Sequence, residues 1–223
     1  MCGRSSLTKT EKELEERFRA TFYTEDLERY NPLPNYNVAP TQMHPVITQE
    51  EPRIIHLYRW GLIPFWAKDM KIGAKMINAR IETLEEKPAF RNALQKRRCI
   101  VPFDGYYEWK KTPEGKIPYR IKLKSTEIFT IAGLYESWKS PERKTIHSFT
   151  LITRDADPAI AQIHDRMPMI LHPEHEKLWL DPDIPAHDLL HLDPTPGKDL
   201  MYYRVSDRVN NVRENDAGLV DAV

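Results

Sequence analysis

Three residues in this 223-residue chain have settings that suit covalent and proton-transfer chemistry: Cys2, Glu108 and His164. Cys2 follows only the initiator Met1. Removing that methionine would leave an amine and a thiol on adjacent carbons. Such a 1,2-aminothiol condenses with an aldehyde to an imine, and the thiol then closes a five-membered thiazolidine ring. An internal cysteine cannot do this, because its nitrogen is locked in an amide. An α-amine titrates near ~8 and a free thiol near ~8.5, against ~10.4 for lysine, so a useful share of the amine is neutral at pH 7. The plain alternative is an early residue in a floppy terminus.

Glu108 lies in Gly105-Tyr106-Tyr107-Glu108-Trp109, between aromatics. Desolvation there would raise its pKa and suit it to moving protons; an outward-facing Glu on an alternating strand fits the pattern equally well. His164 stands beside Asp165 and Arg166, either as an acid–base group with a phosphate-binding neighbour or as a cap at a helix end. Alternation over Met76 to Glu82 turns Asn78, Arg80 and Glu82 to one face, as a site lining or a solvated sheet face. Arg59 to Trp66 gathers three large aromatics around Gly61 and Pro64. That is a core corner or a platform on which bases stack. The eight His are scattered. His172 and His175 are close but lack a flanking carboxylate pair or CxxC, so no metal and no cofactor is expected.

The elements that must hold these residues are mostly strands. Thr10 to Ala20 predicts a helix, with Thr10 and Glu13 at capping-box spacing and an apolar stripe of Leu14, Phe18 and Phe22. Asn31 to Thr41 reads as a Pro- and Asn-rich loop. Strands are predicted at Val46 to Thr48, Arg53 to Tyr58, Cys99 to Trp109, Tyr119 to Lys124, Ile128 to Trp138 and His147 to Thr153, paired antiparallel as a meander. Helices are expected at Pro88 to Arg97, Asp157 to Asp165, His175 to Leu180 and Pro185 to Leu192. Cys99 reads as a small buried hydrophobe.

The sequence is 40% apolar and 30% charged with a formal net charge of zero, which suits a globular protein and argues against bulk attraction to nucleic acid, though not against a local basic patch. No apolar run is long enough to span a membrane, and no signal pattern precedes the first helix. Two cysteines make no disulfide framework, so a reducing cytoplasm is expected. The reading is α+β: an antiparallel β-rich core with peripheral helices, as one domain over 1–223, with 206–223 a loosely held tail.

Six segments together resemble the SOS-response-associated peptidase (SRAP) family: Cys2-Gly3-Arg4, Tyr36 to Pro40, Arg59 to Trp66, Asn78 to Glu82, Asp104 to Trp109 and His164 to Pro168. They occur in the family's order. The resemblance implies a barrel-like body with a single-stranded DNA groove, and a protein that captures abasic sites through a thiazolidine on Cys2, shielding the lesion. It implies that Asn78 orients the terminus, that Glu108 shuttles protons and that His164 protonates the sugar ring oxygen. Arg4, Arg80 and Arg166 would clamp phosphates, and Thr153 would add a hydroxyl contact. Trp66, with Trp60, would stack a base, while Asn37 and Pro40 line the pocket. The expected partner is single-stranded DNA containing abasic sites, bound by a monomer in the cytoplasm or on the nucleoid, with N-terminal self-processing as an accompanying activity. Two rivals are a thiol peptidase using Cys2 and His164, and a non-catalytic reader of modified bases.

Overall fold

The computed structural model describes residues 2–125 and 128–223. The strands in chain order are β1 (Ser5–Leu7), β2 (Thr21–Phe22), β3 (Asn35–Val38), β4 (Met43–Thr48) and β5 (Ile54–Trp60). Then come β6 (Asn78–Arg80), β7 (Arg98–Phe103), β8 (Gly105–Thr112), β9 (Gly115–Leu123) and β10 (Phe129–Lys139). The series ends with β11 (Thr145–Asp155), β12 (Arg166–Pro168), β13 (Ile170–Leu171) and β14 (Leu200–Arg204). The helices are short: α1 (Glu11–Phe18), α2 (Thr24–Arg29), α3 (Arg91–Lys96), α4 (Pro158–Ala161), α5 (Pro173–Leu180) and α6 (Ala186–Leu189).

The β-branched and aromatic runs close on themselves. β5, β4, β7, β10 and β11 follow one another by antiparallel pairing, and β11 returns to β5 in parallel at Ser148↔Arg59 and Phe149↔Trp60. The result is a five-stranded barrel, which leaves no edge among those strands. Successive residues separate into two apolar clusters, as a strand period of two requires. Val46, Val101, Phe149 and Leu151 join one cluster. Their neighbours Ile47, Ile100 and Ile152 join another, together with Leu14, Leu94 and Trp179 from the helices. Helices thus cover one face of the barrel wall, and their own propensity matters less than the stripe each one buries.

The second sheet runs β14-β9-β8-β1-β3, antiparallel throughout. Tyr106 and Ile121 from it pack with the barrel cluster. Tyr107, on the opposite face, packs with Val205 and Val209.

The antiparallel core with peripheral helices agrees with the sequence reading, as does the capping box of Thr10 and Glu13, and the barrel closure agrees with what the family resemblance implies. Four expectations need correction. The stretch Asn31 to Thr41 contains β3, because Ser5 pairs with Val38 and the polar side chains turn inward to bond. The strand expected over Cys99 to Trp109 breaks at Asp104, which sends β7 into the barrel and β8 into the second sheet. The meander omits the parallel closure of β5 on β11. The segment from Ser206 is fastened rather than loose. Val209 and Leu219 are fully buried, Asn37 Nδ2 donates to the carbonyls of Asn211 and Glu214, and Tyr203 donates its hydroxyl proton to Val220 O.

Candidate active site

Cys2 sits three residues before β1, and β1 is the short strand on which the site is hung. It is held between β3 and β8 by only a few ladder bonds, which would be marginal for three residues. The side chain of Asp104 supplies the rest. Its Oδ1 accepts from Ser6 Oγ at 2.7 Å and from Arg120 Nη2 at 3.0 Å. Its Oδ2 accepts from Thr8 N at 2.7 Å and from the Thr8 hydroxyl. Arg120 in turn donates to Ser6 Oγ and to the Tyr203 hydroxyl at 2.9 Å. The pair is buried and well bonded, the condition under which a buried charge is tolerated. Gly105 makes room for it: a Cβ there would lie 2.6 Å from Arg120 Nε.

Because β1 and β8 are antiparallel with Ser5 opposite Tyr106, and Tyr107 N donates to Arg4 O at 2.9 Å, the register carries Cys2 toward Glu108. Cys2 is fully buried. Its thiol is pushed well above the ordinary cysteine range, first by burial and then by the nearby Glu108 charge. Asn78 arrives from another direction. The turn at Gly61 (φ 118°) lets its backbone touch that of Gly73, Leu62 N then donates to Met76 O, and β6 is laid parallel to β11. From there Asn78 Nδ2 donates to Cys2 O at 2.7 Å.

Glu108 is almost wholly buried, and that burial raises its pKa. His164 Nε2 is 4.0 Å from Glu108 Oε2. Two groups approach His164 Nδ1: the backbone N–H of Arg166 at 3.0 Å and the Asp165 carboxylate at 2.8 Å. One nitrogen cannot accept from the first and donate to the second. Asp165 is largely exposed and solvated, so the backbone donor sets the tautomer and the ring proton sits on Nε2, facing Glu108. These two side chains line a cavity of about 490 Å³ with Trp109, Lys111, Lys116 and Asn210.

The structure therefore brings together Cys2, Asn78, Glu108 and His164. The residues expected to bind DNA divide. Arg80 and Trp66 are exposed, and Trp66 lines an open groove with Phe65, Arg91, Asn92 and Gln95. Trp60 is fully buried and donates Nε1–H to Ile77 O at 3.0 Å, so it offers no face to a base. Arg4 bonds Asn37 Oδ1 at 2.9 Å and Val209 O, and it lies over the Trp109 ring at 5.8 Å. Arg166 is held by Glu82 at 2.7 and 3.0 Å, by Asp155, and by Thr153 O at 2.9 Å. These two guanidiniums are already engaged within the protein. Asn37 is buried and its amide serves the C-terminal segment, while Pro40, three residues further on, is half-buried. Thr153 is buried, and its Oγ1 and Asn78 Oδ1 have no hydrogen-bond partner among the described residues. Such atoms are costly to leave unpaired.

Sequence reasoning missed Asp104 and Arg120 as the clamp on β1, and Trp109, Lys111 and Lys116 as cavity lining. The lysines carry a signal: Lys111 pairs with Lys116 across the β8–β9 hairpin, whose Pro113-Glu114-Gly115 has the composition of a turn.

A family model described as SOS response associated peptidase (SRAP) matches residues 1–212. The chain is 45% identical to "Abasic site processing protein YoqW" of Bacillus subtilis over the whole of both proteins. It is 33% identical to "Abasic site processing protein HMCES" of Xenopus tropicalis, covering 89% of this chain and 68% of that one. Among solved structures, a Bacteroides thetaiotaomicron protein superposes with a TM-score of 0.90 at 30% identity over both full chains.

Proposed function

The chain belongs to the SOS response associated peptidase family, and from that premise we propose that it processes abasic sites in single-stranded DNA by capturing them on Cys2. In this reading Met1 is removed. The freed amine of Cys2 adds to the C1′ aldehyde of the opened abasic sugar, and water leaves as the imine forms. The thiol then adds to the imine carbon, its proton passes to nitrogen, and a thiazolidine joins protein to DNA.

The observation that carries the reading is the convergence on one buried cysteine of a carboxyl with a raised pKa and an amide that grips its carbonyl. Glu108, its pKa raised by burial, is suited to take up a proton and hand it on, and the Nε2–H of His164 faces it. Asn78 fixes the backbone so that nitrogen and sulfur present together. His164 assists opening of the sugar by protonating its ring oxygen. Arg80, Lys111 and Lys116 give the site a cationic border for phosphates, and Trp66 offers a face for a flanking base.

A thiol-peptidase mechanism is less well supported. A peptidase cysteine needs a lowered pKa, whereas burial and Glu108 raise that of Cys2.

The deciding experiment is mass spectrometry after mixing with an abasic oligonucleotide. The expected product is a denaturation-stable adduct that lacks Met1 and carries the oligonucleotide on Cys2. Adduct formation by a chain with an extra residue ahead of Cys2 would overturn the proposal.

A further inference from the structure

Outside the residues discussed above, two imidazoles converge on one point. The expectation that the chain holds no metal rested on its scattered histidines, of which His172 and His175 were the close pair singled out, and those rings meet edge to face with centroids 5.6 Å apart. The pair that converges is His187, in α6, and His191, one turn further on. Their Nε2 atoms are 3.4 Å apart and the rings stand at 78° to each other. A metal about 2.0–2.1 Å from each nitrogen would subtend about 110° across that separation, the tetrahedral angle.

The tautomer is prepared for it. Nδ1 of His187 is 3.3 Å from both carboxylate oxygens of Glu85. A carboxylate accepts, so the His187 proton sits on Nδ1 and the Nε2 lone pair points at His191. This is the carboxylate–histidine arrangement that orients metal ligands and raises their basicity. His191 joins as a second lone pair by carrying its own proton on Nδ1, so no proton need be lost.

We propose that His187 and His191 form a divalent transition-metal site, with Glu85 as its positioning residue. Neutral imidazoles select zinc, copper or nickel over magnesium and calcium. No group of three His, Cys, Asp or Glu side chains forms a metal cage among the described residues, so water fills the remaining positions and the ion exchanges readily. The bound ion would also tie α6, through Glu85, to the segment that follows β6, the strand bearing Asn78. The proposal does not depend on the abasic-site reading.

The test uses tag-free full-length protein carrying Cys2→Ser, which removes the competing aminothiol, titrated with zinc chloride by calorimetry. The expected result is one zinc per chain, undisturbed by excess magnesium. His187→Ala and His191→Ala should each abolish it, and Glu85→Gln should weaken it by about 10–100-fold. Metal-free melting curves of the variants should be unchanged, since His187 and Glu85 are exposed. Should an alanine variant fold poorly, substoichiometric copper added to the Cys2→Ser protein gives the same answer by NMR, broadening the imidazole signals of His187 and His191 first. No zinc uptake, uptake that survives loss of either histidine, or broadening of other histidines first would overturn the site.

Discussion

At Glu108 the question is where the proton sits. Burial favours the neutral carboxyl, so the group ionises above the ordinary carboxylate range, near ~4.3 for glutamate. If the ionised form receives a proton during capture, the crosslinking rate falls on its acid side with a midpoint above that value. Glu108→Gln should slow adduct formation by roughly 10²–10⁴-fold and erase that acid limb, with DNA affinity retained; stopped-time gels across a pH series would read both effects. Loss of DNA binding instead would assign Glu108 a structural role. This residue was legible in the sequence only as an alternative, because alternation cannot say which face of a strand is covered. The answer came from Cys2 and Tyr106 packing in one apolar cluster, contacts that no local pattern encodes. The same limit misplaced Trp60. Its aromatic type fitted a core corner or a platform and the family resemblance placed it beside Trp66 as a stacking surface, but its position opposite Phe149 in the closing pair put it inside.

Among the elements, β1 has the least intrinsic reason to exist and the largest burden. Three residues, two of them Ser, have little strand propensity. The buried Asp104–Arg120 pair stands in for it. Removing one partner leaves the other charge uncompensated, so Asp104→Ala should cost about 3–5 kcal/mol, and Gly105→Ala should act in the same direction by displacing Arg120. Urea unfolding would give the energy, and adduct yield should fall along with it. The barrel has its own sensor in His44 on β4. It is fully buried, its Nε2 lies 2.8 Å from Pro102 O, and it stacks on Phe103. Burial pushes its pKa down from 6.5 to about 4. The unfolded chain therefore binds this proton more readily. The stabilisation is complete above pH 6.5 and is lost as the pH falls through 4, amounting to about 3 kcal/mol. Unfolding free energies at pH 7 and pH 4 should differ by that much less in His44→Gln, in which the other titrating groups are unchanged. Strand positions were readable from β-branched and aromatic runs, and so was the Thr10 cap. Partners were not: β5 and β11 are separated by more than half the barrel's sequence, and their parallel pairing has no turn signal.

Over the whole molecule, the two ends of the chain depend on each other. Arg4 donates to Val209 O, and Asn37 to the carbonyls beyond it, so the C-terminal segment braces the strand that carries Cys2. A chain stopped after Ser206 loses the burial of Val209 and Leu219, roughly 3–6 kcal/mol, and should melt roughly 10 °C lower with poorer adduct formation. An unchanged melting temperature would show that the brace contributes nothing. The sequence suggested the opposite, because a polar stretch ending in Asp-Ala-Val carries no periodicity; its anchors are isolated apolar residues in 3₁₀ turns. The burial of Cys2 also sets a clock. Its cover includes β8, which leaves the ribosome about 100 residues after Met1, or about 5–20 s later at typical elongation rates. An aminopeptidase has its easiest access to the nascent end within that interval. On the proposed capture chemistry, a chain that buries Cys2 before its methionine is removed would lack the amine it needs, so the active share of the protein would be decided during translation.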